Sequence, residues 1–306
     1  MSAPSACPEC LRRSWLLAML SPYIERYLCS ETGASVRDLL ALSNEDLVQQ
    51  TAKKVAAQLL ARVAAISEQS FEEQIALDHC WATCQHSDEY PESLRPLDDA
   101  PWALFGRGDQ KLLAAHAAQQ TVAVVGARRA TSYGREVSRE LGRDLSAAAL
   151  VVVSGLSFGI DGCSHRGALD GGRTIAVLGC GPDVAYPASH RSIWRRITET
   201  DLVLSELPPG STPWRWTFPA RSRIIAGLAG MTVVVEAAER SGALVTAEQA
   251  ADIGHIVGAV PGPITSRASV GTNALLAHGA SIVRSAQDVL DALDANGKKD
   301  GNPGSA

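Results

Sequence analysis

Two adjacent arginines, Arg128 and Arg129, and four glycines that trail short apolar runs, Gly126, Gly155, Gly159 and Gly181, are residues whose types and spacing could do chemistry. The run Val122 to Gly126, followed by Ala127, Arg128 and Arg129, puts positive charge where a glycine-rich dinucleotide fingerprint would place its second glycine. Backbone N–H groups beside glycine can approach a phosphate with no Cβ in the way. Arg128 could then grip that phosphate through a charge-assisted, bidentate pair, and a helix beginning near Thr131 would add the positive end of its dipole. Such a site takes an anion. Glycines that only let helices pack closely on a sheet would leave the same pattern, and that alternative stands open, most of all at Gly159.

A second group follows Phe218-Pro219. Arg221 and Arg223 alternate with small residues ahead of Ile224, Ile225 and Leu228. If this segment opens a helix, both cations sit near its N-terminal end, where they are disfavoured unless an anion is present; this favours phosphate contact. Trp194, Trp214, Trp216 and Phe218 lie among the arginines of this region. They could form a stacking platform for single-stranded bases or seal a core. Glu206 and Glu236 end apolar runs, but no histidine, serine or ligand set accompanies them at a telling spacing, so structural hydrogen bonding is expected of them. Asp161 reads as a helix N-cap, and His165 as a support for the helix that follows it.

Seven cysteines, an odd number, argue against a disulfide framework. Cys163 and Cys180 read as small buried apolar residues. Cys7 and Cys10 form a CxxC, while Cys80, Cys84 and His86 fall later in the same N-terminal region. Four thiolates, Cys7, Cys10, Cys80 and Cys84, could close a tetrahedral structural zinc site; unligated thiols are the other reading.

The elements that must position these groups follow from periodicity. Thr121 to Val125 is a β-branched run ended by glycine, and similar runs recur at Leu150 to Ser154, Thr174 to Leu178, Asp201 to Leu207, Thr232 to Glu236 and Ile256 to Val260. Most are separated by enough chain for a crossover helix. The pattern predicts an α/β fold with a doubly wound, mostly parallel sheet. Ahead of it, Trp15, Leu16, Met19 and Leu20, then Val36, Leu39 and Leu40, then Val55, Leu59 and Val63 predict a small all-helical domain over residues 1–70, with a cap at Ser43. Residues 71–109 read as an extended connector, 110–294 as the sheet domain, and 295–306 as a disordered tail.

Composition excludes several classes. Apolar residues make up 46% and charged residues 20%, which is ordinary for a globular protein. No apolar run reaches the roughly 18 residues of a membrane span, and Cys7, Glu9 and Cys10 interrupt any secretion signal, so a cytoplasmic location is expected. With a net charge of -5 the chain as a whole is no polycation. Between Tyr186 and Gly230, however, arginines 191, 195, 196, 215, 221 and 223 face only Glu199, Asp201 and Glu206, so a local basic patch could bind nucleic acid.

Ordered motifs carry a resemblance. Val124-Val125-Gly126-Ala127-Arg128-Arg129-Ala130-Thr131, Ser154-Gly155-Leu156, Gly159-Ile160-Asp161, Tyr186-Pro187, Phe218-Pro219-Ala220-Arg221-Ser222-Arg223 and Ser241-Gly242-Ala243-Leu244 resemble the DNA-processing protein A (DprA, or Smf) family, in order over residues 90–294. The resemblance implies an extended Rossmann-like sheet used without a nucleotide cofactor, single-stranded DNA binding, loading of the RecA recombinase in natural transformation, and a homodimer. It implies no catalysis and no membrane partner. The DNA-binding set it suggests is Gly126, Ala127, Arg128, Arg129, Ser154, Gly155, Phe158, Gly159, Arg173, Gly181, Arg221, Arg223, Ser241 and Gly242. Ser281 to Leu293 would contribute to the dimer, with RecA met on an overlapping surface. The N-terminal segment is similar to a sterile-alpha-motif-like or helix-hairpin-helix-like domain.

The sequence departs from the family pattern in three places. Ser157-Phe158 stands where Ala-Arg is usual, Ser222 where Asn is usual, and His255 where Arg is common. A C-terminal winged helix, and duplex binding through it, are not expected. A second function class remains: a nucleotide-sensing or nucleotide-hydrolysing protein similar to the lysine-decarboxylase-like group, with a mononucleotide in the glycine pocket.

Overall fold

In the computed structural model, residues 6–31, 33–114 and 120–300 are described. The elements run α1 (Pro8–Ser30), α2 (Val36–Ala41), α3 (Asn44–Ala52), α4 (Ala56–Ala64), α5 (Glu68–Leu77), β1 (Trp81–Cys84), β2 (Ala103–Gly108), α6 (Lys111–Ala114), β3 (Thr121–Val125), α7 (Ser132–Ala147) and β4 (Val151–Ser154). They continue α8 (Ile160–Gly171), β5 (Arg173–Leu178), α9 (Arg191–Thr200), β6 (Leu202–Ser205), α10 (Thr217–Leu228), β7 (Met231–Val234), α11 (Gly242–Asp252), β8 (Ile256–Ala259), α12 (Val270–Ala277), β9 (Ser281–Ile282) and α13 (Ala286–Asp300).

Among the described residues, nine strands form one sheet in the order β1-β2-β6-β5-β4-β3-β7-β8-β9. From β6 to β9 every pairing is parallel, while β2 is antiparallel to both β1 and β6. The order steps outward from β3 to β6, then returns to place β7 on the other side of β3. The β3–β7 boundary is therefore the topological switch point of a doubly wound sheet.

Alternation along each strand divides the core. Val122, Val124 and Val152 pack with Leu141 and Leu145 of α7 and Ile160 of α8. Their neighbours Ala123, Val125, Val151 and Val153 face Ile224, Ile225 and Leu228 of α10 on the opposite side. Both faces are covered, so the strands read as continuous apolar runs.

All six predicted strands are present, and the mostly parallel α/β sheet agrees with the sequence reading. The stretch read as an extended connector differs. It contains most of α5 and an antiparallel pair, β1 with β2, that extends the sheet beyond β6. The predicted tail also differs: α13 continues through Asp300, and only residues 301–306 lie outside the described residues.

The N-terminal helices form their own apolar cluster. Leu16, Leu17, Leu20 and Ile24 of α1 meet Leu47 and Val48 of α3, and the same cluster takes in Leu207, Trp216 and Ala220. The bundle is thus seated on the start of α10. Arg13 is buried at this junction, donating to Asn44 Oδ1 at 2.9 Å and the Leu40 carbonyl at 3.0 Å. No helix among the described residues is long and apolar enough to cross a membrane.

Candidate nucleic-acid interface

The loops at the C-terminal ends of β3, β4, β5 and β7, with the start of α10, gather most of the residues singled out above. At the switch point itself a carboxylate already holds the first turn of α7. Glu236, just past β7, accepts from Thr131 N at 2.9 Å and from the Thr131 hydroxyl. Thr131 caps α7, its side chain accepting from Gly134 N. The carboxylate therefore occupies the positive end of α7, where a Rossmann-like fold would hold a phosphate. The expectation that this dipole serves a bound phosphate is corrected: the protein supplies its own anion.

The backbone amides expected to cradle phosphate are also largely engaged. Ala127 N donates to the Glu236 carbonyl at 2.8 Å, and Gly181 N to the Ser211 carbonyl at 2.9 Å. Gly126 lies against Ile160 and the Glu236 carbonyl, so its missing Cβ serves packing. Gly159, at φ +75°, sits where a Cβ would strike the Ala127 carbonyl, and the Ile160 N–H next to it donates to that carbonyl at 3.3 Å. Ser154 is fully buried, its hydroxyl donating to the Val124 carbonyl at 2.7 Å. These five positions hold the loops together, and the packing alternative is the one the geometry favours for them.

Arg221 and Arg223 are corrected most sharply. Gly155 leaves space for the Arg221 guanidinium, which a Cβ at that position would overlap. Arg221 donates to the Gly155 carbonyl, to Val177 O at 3.2 Å and to Ser157 Oγ at 2.7 Å, and lies 3.7 Å from Asp161. Burial pulls the Arg221 pKa down and pushes that of Asp161 up, and the opposite charge of each offsets part of the other's cost. Asp161 is not the cap of α8, a position held by Gly159; its carboxylate instead accepts from Ser157 N at 3.2 Å. Arg223, 3% exposed, donates to Glu206 at 2.6 Å and pairs with Asp99 at 3.1 Å. Burial opposes its charge, but the nearby Glu206 and Asp99 carboxylates, with Tyr90, together outweigh this and raise its pKa. Neither guanidinium is available to a phosphate in this arrangement.

Arg173 begins β5 at the other edge of the sheet, tied to Asp109 at 2.6 Å and Asp201 at 3.1 Å. The structure does not bring it to the glycine loops. His165 is sealed between α8 and the sheet, 2.8 Å from Thr174 Oγ1, and burial lowers its pKa to about 3. Trp216 belongs to the core beneath the N-terminal bundle, and Trp194 donates to Pro182 O at 3.1 Å, so these aromatics pack rather than line the rim.

What faces solvent is a rim. Arg128 and Arg129 are exposed and form no ion pair among the described residues. The Arg128 guanidinium lies 4.7 Å from the centre of the Phe218 ring, which also has Arg221 at 5.3 Å and Tyr186 at 5.9 Å. Phe158 is 48% exposed and Tyr186 42%, an unusual outlay of aromatic surface on one edge. Phe158 meets buried His190 edge-on at 5.4 Å. Leu156, at φ +56°, holds the turn between Gly155 and Ser157 in the left-handed region, a conformation costly for a branched residue. Across the switch point, Ser241 caps α11 by accepting from Ala243 N, and exposed Gly242 has open space around it. The sequence reading did not single out Tyr186 as a site residue; its place in the Tyr186-Pro187 motif was the available signal.

Of the cysteines expected to hold zinc, Cys7, Cys10 and Cys84 converge, joined by His86. Cys80 does not join them: its thiol donates to Asp78 O at 3.3 Å.

A mostly parallel sheet with a carboxylate docked at its switch point, and beside it exposed aromatics and arginines that form no ion pair among the described residues, defines a Rossmann-like α/β protein. The sequence model of DNA recombination-mediator protein A matches residues 81–294. The chain belongs to that family. It is 43% identical over 216 residues to a putative DNA processing protein DprA of Mycobacterium tuberculosis, covering 69% of this chain and 55% of that relative. It is 44% identical over 204 residues to DprA of Streptococcus pneumoniae, covering 66% and 71%. The chain thus spans about half the length of the mycobacterial relative. The X-ray structure of S. pneumoniae DprA superposes with a TM-score of 0.72 at 34% identity, over 92% of this chain and 95% of that one. A Helicobacter pylori DprA, whose structure is described for its single-stranded DNA binding mode, gives 0.63 at 28% identity over 72% and 98%.

Proposed function

We propose that this chain binds single-stranded DNA along the C-terminal rim of its sheet, as a non-enzymatic mediator that passes the strand to a RecA-type recombinase during DNA uptake. The observation that carries the reading is Arg128: an exposed guanidinium with no carboxylate partner among the described residues, set over Phe218 beside exposed Phe158 and Tyr186. An unpaired arginine next to aromatic faces suits a strand that offers both phosphates and unstacked bases. Gly242 and Ser241 at the start of α11 continue the same rim. A homodimer through the β9 edge accords with Ile282, which is 58% exposed on the last strand of the sheet.

The test is fluorescence anisotropy of a labelled, unstructured oligonucleotide over a salt series, beside matching duplex. Single strand is expected to bind more tightly, with Arg128→Ala weakening all sequences alike and reducing the salt slope by about 0.7. Binding that is unchanged by Arg128→Ala would overturn the assignment of the rim. The mononucleotide alternative gains no support from the Glu236-filled crevice; a melting temperature raised by a mononucleotide would revive it.

A further inference from the structure

Beyond the DNA rim, the N-terminus of α1 and the end of β1 bring together four metal-ligand side chains. We propose that Cys7, Cys10, Cys84 and His86 bind one zinc ion as a tetrahedral Cys3His site that fastens the helical bundle to the edge strand pair.

The ligand atoms of these four residues all lie within 4.8 Å of one another. His86 Nδ1 is 3.4 Å from the Cys7 sulfur and 3.4 Å from the Cys10 sulfur. Zinc bonds of about 2.3 Å to sulfur and about 2.0 Å to nitrogen at tetrahedral angles place a sulfur and a nitrogen about 3.5 Å apart. The imidazole is thus set at the ligand–ligand spacing that a zinc ion requires. The Cys7 backbone N–H donates to the Cys84 sulfur at 3.3 Å, a bond that favours the thiolate form a metal needs.

The secondary structure explains the convergence. Cys7 is the N-cap of α1 and Cys10 closes its first turn, so the CxxC spacing puts both sulfurs at the end of the helix where negative charge is favoured. Cys84 is the last residue of β1, and the turn after it carries His86 back toward the helix. Cys10 and Cys84 are buried among Ala6, Trp102 and Phe105, so the sulfurs are shielded, while exposed His86 leaves one side open to solvent for loading.

Cys80 is an internal contrast. It is buried in the same apolar cluster, yet it turns its thiol to a backbone carbonyl. Apolar packing accounts for one cysteine of that kind; it does not account for three sulfurs and an imidazole nitrogen meeting at one point. Three soft thiolates and one imidazole suit zinc. Binding would release the thiol protons to solvent and close the long loop between residues 10 and 84, a constraint that acts on the unfolded chain.

The full chain, purified from zinc-supplemented cells without chelator, is expected to carry about one zinc per chain by elemental analysis. Cys10→Ser should lose it, while Cys80→Ser and His86→Cys should keep it. Chelator treatment of the unmodified protein should lower its melting temperature, and added zinc should restore it. If Cys10→Ser does not fold, cobalt titration of the chelator-treated chain decides instead, with the visible bands of tetrahedral thiolate-bound cobalt expected. A chain without stoichiometric metal that gives no such bands would overturn the proposal, as would iron in place of zinc or equal zinc in Cys10→Ser.

Discussion

Two pairs of arginines lie along the same sheet edge and do opposite work. Arg128 and Arg129 stand in solvent on the loop after β3, without a carboxylate partner among the described residues. Arg221 and Arg223 lie two residues apart on α10, and the protein closes over both, pairing one with Asp161 and the other with Asp99 and Glu206. The difference teaches that a guanidinium's role is set by where its fork finds acceptors. Buried, it joins carbonyls and carboxylates from several loops; exposed, it is left to an outside anion.

The largest expected effect comes from removing a buried member. Arg223→Ala leaves Glu206 and Asp99 without their cation, at a cost of about 3–5 kcal/mol, which urea denaturation would read as a much lower midpoint. A midpoint that does not move would break the comparison at once. Gly155→Ala places a methyl group on the Arg221 guanidinium, an overpacking cost of about 1–3 kcal/mol. Its thermal melt should fall while the salt slope of DNA binding in the folded protein stays unchanged.

Smaller effects sharpen the exposed half. The double change Arg128→Ala with Arg129→Ala should leave stability within about 0.5 kcal/mol and lower the single-strand salt slope by about 1.4, two contacts at about 0.7 each. A destabilised double variant would mean that this pair, too, holds the fold. Finally, Phe158→Arg adds a charge to the rim and should raise the slope by about 0.7, with a modest gain in affinity at low salt in the anisotropy assay. A weaker complex would instead identify the Phe158 ring itself as a stacking face.

The sequence made the parallel strands legible because both faces of each are buried, so runs such as Val151-Val152-Val153 have no polar alternation to confuse them. The antiparallel pair was hidden for the opposite reason. Trp81 to Cys84 is short and mixed, and Ala103 to Gly108 contains two glycines and an arginine. The burial of Arg221 and Arg223 could not be read locally, because their acceptors come from three separate stretches of chain: Gly155 with Asp161, Asp99, and Glu206. Spacing found the CxxC but not its fourth partner: Cys80 and Cys84 suggested a pair, whereas the turn after β1 delivers His86. Arg128 was legible because it lies in the short loop just past a strand and needs no distant residue to stand exposed.

Glu236 carries one last consequence. By keeping a carboxylate permanently docked on the first turn of α7, the fold has its phosphate surrogate covalently installed. A phosphate arriving at that helix end would have to displace Glu236 from Thr131 before it could bind.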